Sequence, residues 1–168
     1  DLSKRHDYLT NKQFSTLHFR GPGTDLMVGM PENHIWKGGS GKTQGGVDFT
    51  ANLPTEEVFS MPHKDKVEGT VRATKSLNYF GNLIENFSLT FKKGRVGDFS
   101  AEKGEETLKH MLATDETSMQ LGEVALVPHR SPISDSGLIF FNTLYDENAA
   151  CHLALGSAYR ANIQGGVD

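Results

Sequence analysis

The chain has 168 residues, a length that suits one domain over residues 1–168 with a single apolar core. Its 17 basic and 21 acidic residues give a net charge of −4 without a basic stripe, which argues against nucleic acid as a partner. No apolar run approaches the roughly 20 residues that span a bilayer, so we expect no membrane partner. Cys151 is the single cysteine, which excludes a disulfide framework and favours a reducing, cytoplasmic location.

The N-terminal part of the chain predicts a β-hairpin. Residues 1–13 are polar and indicate a helix or an irregular segment. Residues 14–20 and 25–30 each alternate apolar and polar side chains around a Gly-Pro-Gly sequence, which is typical of two strands joined by a turn. His18 and Asp25 could then face each other or a ligand, although polar residues on a half-exposed sheet are the commoner case.

Residues 31–44 carry few apolar side chains and predict a flexible loop. Their Gly-Lys-Thr sequence ends as a phosphate-binding loop would, but that motif requires a glycine where this chain has Trp36. We therefore reject a nucleotide site here.

A short acidic segment follows between two prolines. Pro54 and Pro62 bracket Glu56 and Glu57, and prolines forbid a long helix and restrict the backbone. The apolar residues on both sides indicate a segment that is pinned to the core. Carboxylates held there need a compensating cation, so a ligand role competes evenly with simple solvation.

The middle of the chain predicts strands and one packing helix. Strands are expected at residues 67–74, 83–91 and 95–99, the last two forming a hairpin, and Ser100 is expected to cap a helix over residues 101–113. The whole pattern predicts an α+β fold, with antiparallel or mixed β-sheet hairpins and two or three packing helices.

Residues 121–127 predict a buried strand that contains one acid, Glu123. A lone carboxylate among apolar residues is costly unless it is paired or metal-bound. Glu123 is therefore the strongest signal for a site that the residues alone provide.

The last part of the chain predicts a strand that leads into a helix. Residues 137–141 form a short apolar run that suggests a buried strand. Asp146 is a plausible N-cap for a helix that ends at Gly156 and carries Glu147 and His152. We expect Cys151, which neighbours His152 on that helix, to be a buried and inert thiol.

The candidate site residues are therefore carboxylates together with one imidazole. Such a set of oxygen and nitrogen ligands suits Zn²⁺, Co²⁺ or Mn²⁺ better than Ca²⁺ or a thiolate-bound metal. The candidate ligands are Glu57, Glu123, Glu147 and His152.

Three ordered segments resemble one enzyme family. Residues 52–59 (NLPTEEVF), 121–128 (LGEVALVP) and 146–156 (DENAACHLALG) closely resemble metallo-aminopeptidases typified by aminopeptidase T and aminopeptidase S, and residues 21–26 (GPGTDL) share the likeness. The resemblance implies a two-metal exopeptidase that acts on peptide substrates, uses two divalent ions (Zn, Co, Mn or Mg) and forms a homodimer when intact.

The resemblance also implies roles for individual residues. Glu57 corresponds best to the first family acid, with Glu56 as the alternative, and Glu123 corresponds to an acid that could bridge the two metals. His152 corresponds to a ligand, and Glu147 to a weaker ligand. Glu56 or Glu57 could relay a proton. Tyr159 could stabilise the oxyanion, and it would share a face with His152 if the helix continued past Gly156.

The match also departs from the family. Family members carry a further His-x-Asp ligand pair downstream and a large N-terminal domain, so we expect this chain to be an internal fragment from the C-terminal catalytic half, with impaired activity of its own. Even so, we expect Glu57, Glu123 and His152 to share one pocket. The alternative is a non-catalytic packing or dimerisation module with solvated acids.

Overall fold

The structure is a computed structural model that describes residues 2–50 and 53–166. The first residue of the 52–59 segment lies outside this range. The helices are α1 Leu2–Lys12, α2 Glu105–Leu112, α3 Pro132–Ser136 and α4 Thr143–Asp146, with 3₁₀ helices at Glu147–Ala149 and Arg160–Asn162. The strands are β1 Thr16–Gly21, β2 Thr24–Gly29, β3 Ser40–Lys42, β4 Asp48–Thr50, β5 Val58–Ser60, β6 Val67–Arg72, β7 Leu77–Tyr79, β8 Asn82–Ile84, β9 Ser88–Lys92, β10 Arg95–Ser100, β11 Leu121–Leu126 and β12 His152–Leu155.

Two antiparallel sheets carry most of the fold. A five-stranded sheet has the order β1-β2-β6-β9-β10, and a three-stranded sheet has the order β12-β11-β5. The predicted hairpin at Gly-Pro-Gly is confirmed, since Gly21 pairs with Thr24. The predicted hairpin at residues 92–95 is also confirmed, since Arg95 pairs with Lys92. The α+β prediction is correct.

The core combines the inner faces of the sheets with one helix. Leu108 and Leu112 of α2 are buried in the same apolar cluster as Val28 of β2, Phe91 of β9 and Val124 of β11. Because β11 contributes to this core while it pairs with a strand on each side, its backbone is held from both edges. The site described below is built on this strand.

Three boundaries differ from the predictions. Helix α2 begins at Glu105, because Gly104 adopts a left-handed conformation (φ 79°) and the preceding residues pair with the chain at Glu85. Ser100 therefore ends β10 and does not cap the helix. The predicted strand over residues 83–91 is divided between β8 and β9, with Asn86 at a positive φ of 49° between them.

The predicted flexible loop at residues 31–44 is partly anchored. Trp36 is only 1% exposed, and His34 is buried as well. Backbone hydrogen bonds of 2.8 Å run in both directions between Lys37 and Phe59, so the loop borders the strand that follows the acidic segment. Residues 40–42 of this stretch also form strand β3, which pairs with β4, so the prediction of a flexible loop is wrong there.

The two predictions for the last part of the chain are wrong. Residues 137–141 form no strand, and Leu138 and Phe141 are 63% and 60% exposed. The predicted helix from Asp146 to Gly156 is replaced by the end of α4, a 3₁₀ turn and strand β12. Asn142, not Asp146, is the N-cap of α4, and its side chain accepts a hydrogen bond from the backbone N–H of Leu144.

None of the helices among residues 2–50 and 53–166 is both long enough and apolar enough to cross a bilayer.

Candidate metal centre

Strand pairing places Glu123 and His152 on the same face of the three-stranded sheet. Residues opposite each other in antiparallel strands point to one face, and that face recurs at every second residue. Glu123 lies opposite Ala154, and Ala125 lies opposite His152. Glu123 and His152 are therefore diagonal neighbours on this face.

Strand β5 adds the acidic segment to this face. Phe59 lies opposite Ala125, so its side chain is on the face of Glu123 and His152. Glu57 precedes Phe59 by two residues and reaches the same face. The alternate residues Val58 and Ser60 are buried on the other side of the sheet. The alternation therefore separates a polar cluster from the apolar core.

The polar atoms of the cluster are close together. His152 Nε2 lies 3.0 Å from Glu57 Oε2 and 3.6 Å from Glu123 Oε1. One ligand atom each from Glu57, Glu147 and His152 can be chosen so that all lie within 4.8 Å of one another. The four predicted ligands thus occupy one place in the structure. The expectation that Glu57, Glu123 and His152 lie together agrees with these distances.

The imidazole has a defined orientation. Its Nδ1 lies 3.1 Å from the carbonyl oxygen of Ala150, and because a carbonyl can only accept, Nδ1 carries the proton of that hydrogen bond. This leaves Nε2 directed to the carboxylates. Nε2 and Glu57 Oε2 are buried and only 3.0 Å apart, but their relative orientation does not make a well-aligned hydrogen bond. The contact is therefore one of charge and proximity.

The charged groups of the cluster shift each other's pKa values. Burial lowers the pKa of His152, but the carboxylates of Glu123 and Glu57 outweigh it and raise this pKa to about 10. Burial raises the pKa of Glu147 to about 7. His152 opposes this rise, whereas the charges of Glu57 and Glu123 add to it. A site with this excess of negative charge favours a cation.

Two supporting residues were not predicted. Asn148 is fully buried and hydrogen-bonds to the backbone beside Glu57, and Gly38 lies against the backbone of Glu57 itself. A Cβ at Gly38, which has a φ of +147°, would come within 2.5 Å of the Glu57 carbonyl oxygen. Asn148 could have been suspected from its place next to Glu147, but no local signal in the loop at Gly38 indicates its contact.

The two predicted catalytic residues occupy different surroundings. Glu56 is half-buried, and its backbone N–H donates to Asn148 Oδ1 at 2.8 Å. Among the described residues its carboxylate makes no ion pair with His152, unlike that of Glu57, so geometry favours Glu57 as the ligand. Tyr159 is 63% exposed, and its ring centroid lies 6.1 Å from that of Phe59.

Cys151 does not behave as predicted. It is exposed instead of buried, and it lies between the 3₁₀ helix and β12, not on a helix. Its Sγ exchanges weak hydrogen bonds with the backbone N–H and carbonyl of Val127, at 3.4 and 3.3 Å. The thiol is therefore directed to the chain after β11, whereas His152 Nε2 is directed to the carboxylates.

The cluster does not coincide with a cavity on the other face of the sheet. A cavity of about 580 Å³ lies between α1 and the opposite face of the three-stranded sheet, where Tyr8, Leu9, Val58 and Leu126 line it. Because Val58 and Leu126 alternate with the residues of the polar face, this cavity is separated from His152 by the sheet. The chemistry of the donor atoms, and not cavity size, identifies the candidate site.

The whole chain matches a known protein family. The family model for the thermophilic metalloproteases (M29) matches residues 1–168. The family resemblance of the three segments is confirmed by this match.

Curated relatives are similar over nearly all of this chain. Aminopeptidase 2 from Geobacillus stearothermophilus is 61% identical, over 99% of the chain and 40% of the relative. Aminopeptidase AmpS from Bacillus subtilis (strain 168) is 53% identical, with the same coverage of 99% and 40%. Aminopeptidase T from Thermus thermophilus is 51% identical, over 98% of the chain and 40% of the relative. The chain thus spans about 40% of the length of these relatives.

Solved structures agree with this relationship. Wild-type AmpT from Thermus thermophilus superimposes with a TM-score of 0.94 at 51% identity, over 98% of this chain and 41% of that one. The 2,5-dihydroxypyridine dioxygenase from Pseudomonas putida KT2440 has a TM-score of 0.58 at 19% identity, over 87% and 44%, which indicates a shared fold alone. The chain therefore belongs to the thermophilic metalloprotease family M29.

Proposed function

We propose that this chain carries the metal centre of a metallo-aminopeptidase that releases N-terminal amino acids from peptides. Family membership and relatives named as aminopeptidases support the activity. The observation that carries the proposal is the buried pair of His152 Nε2 and Glu57 Oε2, which lie 3.0 Å apart without a hydrogen bond of acceptable alignment.

The residues present fit divalent ions. Nε2 and Oε2 face each other as a buried ion pair without an aligned hydrogen bond, and both atoms could bind one cation. A hydrogen bond from the other ring nitrogen to a backbone carbonyl, as between His152 Nδ1 and Ala150, is the usual support of a metal-binding histidine. We propose that Glu57, Glu123, Glu147 and His152 would hold divalent ions, two in the intact enzyme, of Zn, Co, Mn or Mg.

Each ligand has a proposed role. Glu57 and His152 would bind through Oε2 and Nε2, the two atoms that face each other. Glu123 of β11, whose Oε1 lies 3.6 Å from His152 Nε2, would add a further carboxylate to hold metal. Glu147 is a weaker ligand, because its raised pKa of about 7 means that proton and metal compete for its carboxylate near neutral pH.

The reaction needs a proton carrier and a donor for the developing charge. Divalent ions held in the cluster would polarise the scissile carbonyl and lower the pKa of the attacking water. Glu56 is proposed to accept the water proton on its carboxylate and to pass it to the leaving amine. Tyr159 is proposed to donate its phenolic O–H to the oxyanion, and its contact with Phe59 ties it to the face of the cluster.

The proposal extends to the whole protein. The single cysteine supports a cytoplasmic location, and the family resemblance supports a homodimer. The exposed apolar run that begins at Leu138 and ends at Tyr145 is of a kind that interfaces usually cover, which also supports association. The same run favours the second candidate, a non-catalytic association module, but the burial of Glu57 at 8% exposure opposes its requirement for solvated acids.

A matched pair of substitutions tests the function. In the full-length protein, Glu123→Gln should lower kcat/KM for peptide hydrolysis by at least about 100-fold, because a neutral amide would replace a negatively charged metal ligand. The exposed Glu106→Gln on α2 makes the same chemical change away from the cluster and should leave activity within about twofold. Wild-type turnover by Glu123→Gln would refute the site, and no peptidase activity in the wild-type protein would refute the function.

A further inference from the structure

Asn148 is an uncharged, fully buried residue whose side-chain amide forms hydrogen bonds through both its oxygen and its nitrogen. Its Oδ1 accepts a hydrogen bond of 2.8 Å from the backbone N–H of Glu56. Its Nδ2 donates one of 3.0 Å to the carbonyl oxygen of Leu144. The backbone oxygen of Asn148 in turn accepts from Ser131 Oγ at 3.2 Å. The side chain is thus held at both polar atoms, by the nearby turn at Leu144 and by the distant segment at Glu56.

These bonds join two segments that each carry a candidate ligand. Asn148 follows Glu147 directly on the 3₁₀ helix. The backbone group that it binds belongs to Glu56, the residue before Glu57. Because β5 begins at Val58, Glu57 lies just outside the hydrogen-bonded ladder of the sheet. The bond from Asn148 therefore holds the backbone where the ladder does not.

We propose that Asn148 is a positioning residue that holds the carboxylates of Glu57 and Glu147 in one geometry for divalent metal. The proposal rests on the function proposed above. It requires a side chain that both accepts and donates while it stays neutral. A leucine of similar size can do neither, and an aspartate would add a further negative charge beside the cluster and could not donate to the Leu144 carbonyl.

The test measures metal affinity and stability separately. The full-length protein is stripped with a chelator, and Zn²⁺ alone is titrated by calorimetry at pH 7. Asn148→Leu should raise the Kd for Zn²⁺ by about 10- to 100-fold, as removal of residues that orient metal ligands usually does. A residue with a merely structural role would lower the melting temperature and leave the Kd unchanged.

Ser60→Ala is the matched control. Ser60 is also buried, and its Oγ donates a 2.9 Å hydrogen bond to the carbonyl oxygen of Ile35, but it lies on the core face of β5. It should lower the melting temperature while the Kd for Zn²⁺ stays within about twofold of wild type. If Asn148→Leu does not fold, Asn148→Ser, which also cannot span both partners, is measured in its place.

The outcomes are distinct. Weaker Zn²⁺ binding by the Asn148 variant, with unchanged binding by Ser60→Ala, supports the positioning role. Wild-type affinity in a folded Asn148 variant overturns this role and leaves the proposed metal centre intact. Absence of saturable Zn²⁺ binding by the wild-type protein overturns the metal centre itself, and the role of Asn148 with it.

Discussion

His152 Nε2 and Glu57 Oε2 lie 3.0 Å apart, although the two residues come from a terminal strand and a loop that are distant in sequence. The other ring nitrogen of His152 is engaged by the Ala150 carbonyl, so the imidazole cannot turn away without losing that bond. Both facing atoms are buried and lack an aligned hydrogen bond. The fold thus holds an imidazole and a carboxylate against each other as an ion pair, at a place where both atoms could bind one cation.

The first prediction concerns the pH dependence of the metal-free protein. His152 has a pKa of about 10 in the folded chain, against its ordinary value of 6.5. Because the folded state binds this proton more tightly, the resulting stabilisation is complete below pH 6.5 and is lost as the pH rises through 10. The pKa of Glu147 is raised from 4.5 to about 7, so its proton also stabilises the folded state. This stabilisation is lost as the pH rises from 4.5 to 7.

Denaturant midpoints measured with a chelator present should therefore fall between pH 5 and pH 10. The variant His152→Gln removes the upper part of this dependence, so the difference between wild type and variant isolates it from other groups. Saturating Zn²⁺ should reverse the trend, because metal binding requires deprotonated ligands. A difference between wild type and variant that does not shrink from pH 7 to pH 10 would contradict the assignment.

The second prediction concerns the glycine against Glu57. Gly38→Ala should destabilise the protein by about 1–3 kcal/mol, because its positive φ and its approach to the Glu57 carbonyl both exclude a Cβ. It should also weaken Zn²⁺ binding, since relief of the contact moves Glu57. Gly81→Ala is the control, because Gly81 also has a positive φ but would have no neighbour within 4 Å of a Cβ. Equal Zn²⁺ affinity in both variants would show that Gly38 does not position Glu57.

The third prediction separates binding from catalysis. Tyr159→Phe in the full-length protein should lower kcat by about 100-fold or more, as loss of one oxyanion donor does, while Zn²⁺ affinity is retained. Tyr145→Phe removes a hydroxyl from another partly exposed tyrosine and should leave kcat within about twofold. Steady-state kinetics and calorimetry on the same preparations decide the matter. An unchanged kcat in Tyr159→Phe would exclude the oxyanion role.

The fourth prediction concerns the thiol. Cys151→Ser should keep Zn²⁺ affinity and peptidase activity within about twofold, because Sγ is bonded to Val127 and not to the carboxylate cluster. The exposed thiol should also react with a maleimide while metal remains bound. Loss of metal on this substitution would indicate that sulfur belongs to the site.

Two of the candidate ligands were predictable, because a carboxylate among apolar residues is a local signal. Glu123 is a lone acid in an apolar strand, and the prolines around Glu57 indicated a segment pinned to the core. The β1–β2 hairpin followed from the Gly-Pro-Gly turn for the same reason, since turn residues act locally.

The predictions that failed concern segments whose structure depends on contacts with distant parts of the chain. Residues near His152 are rich in Ala and Leu and favour helix, yet pairing with β11 satisfies their backbone as a strand, so tertiary context overrides propensity. The apolar run at residues 137–141 was predicted to be buried, but an apolar run does not by itself indicate what covers it. Asn148 and Gly38 escaped prediction because their contacts join distant segments.

Anomalous X-ray diffraction at the zinc absorption edge tests the central claim most directly. In crystals of the full-length protein grown with Zn²⁺, we expect an anomalous peak about 2.0–2.2 Å from both His152 Nε2 and a Glu57 carboxylate oxygen. Crystals of the His152→Ala variant, grown in the same way, should show a weaker peak or none. A well-ordered wild-type structure with zinc bound elsewhere, and His152 still 3.0 Å from Glu57, would contradict the account.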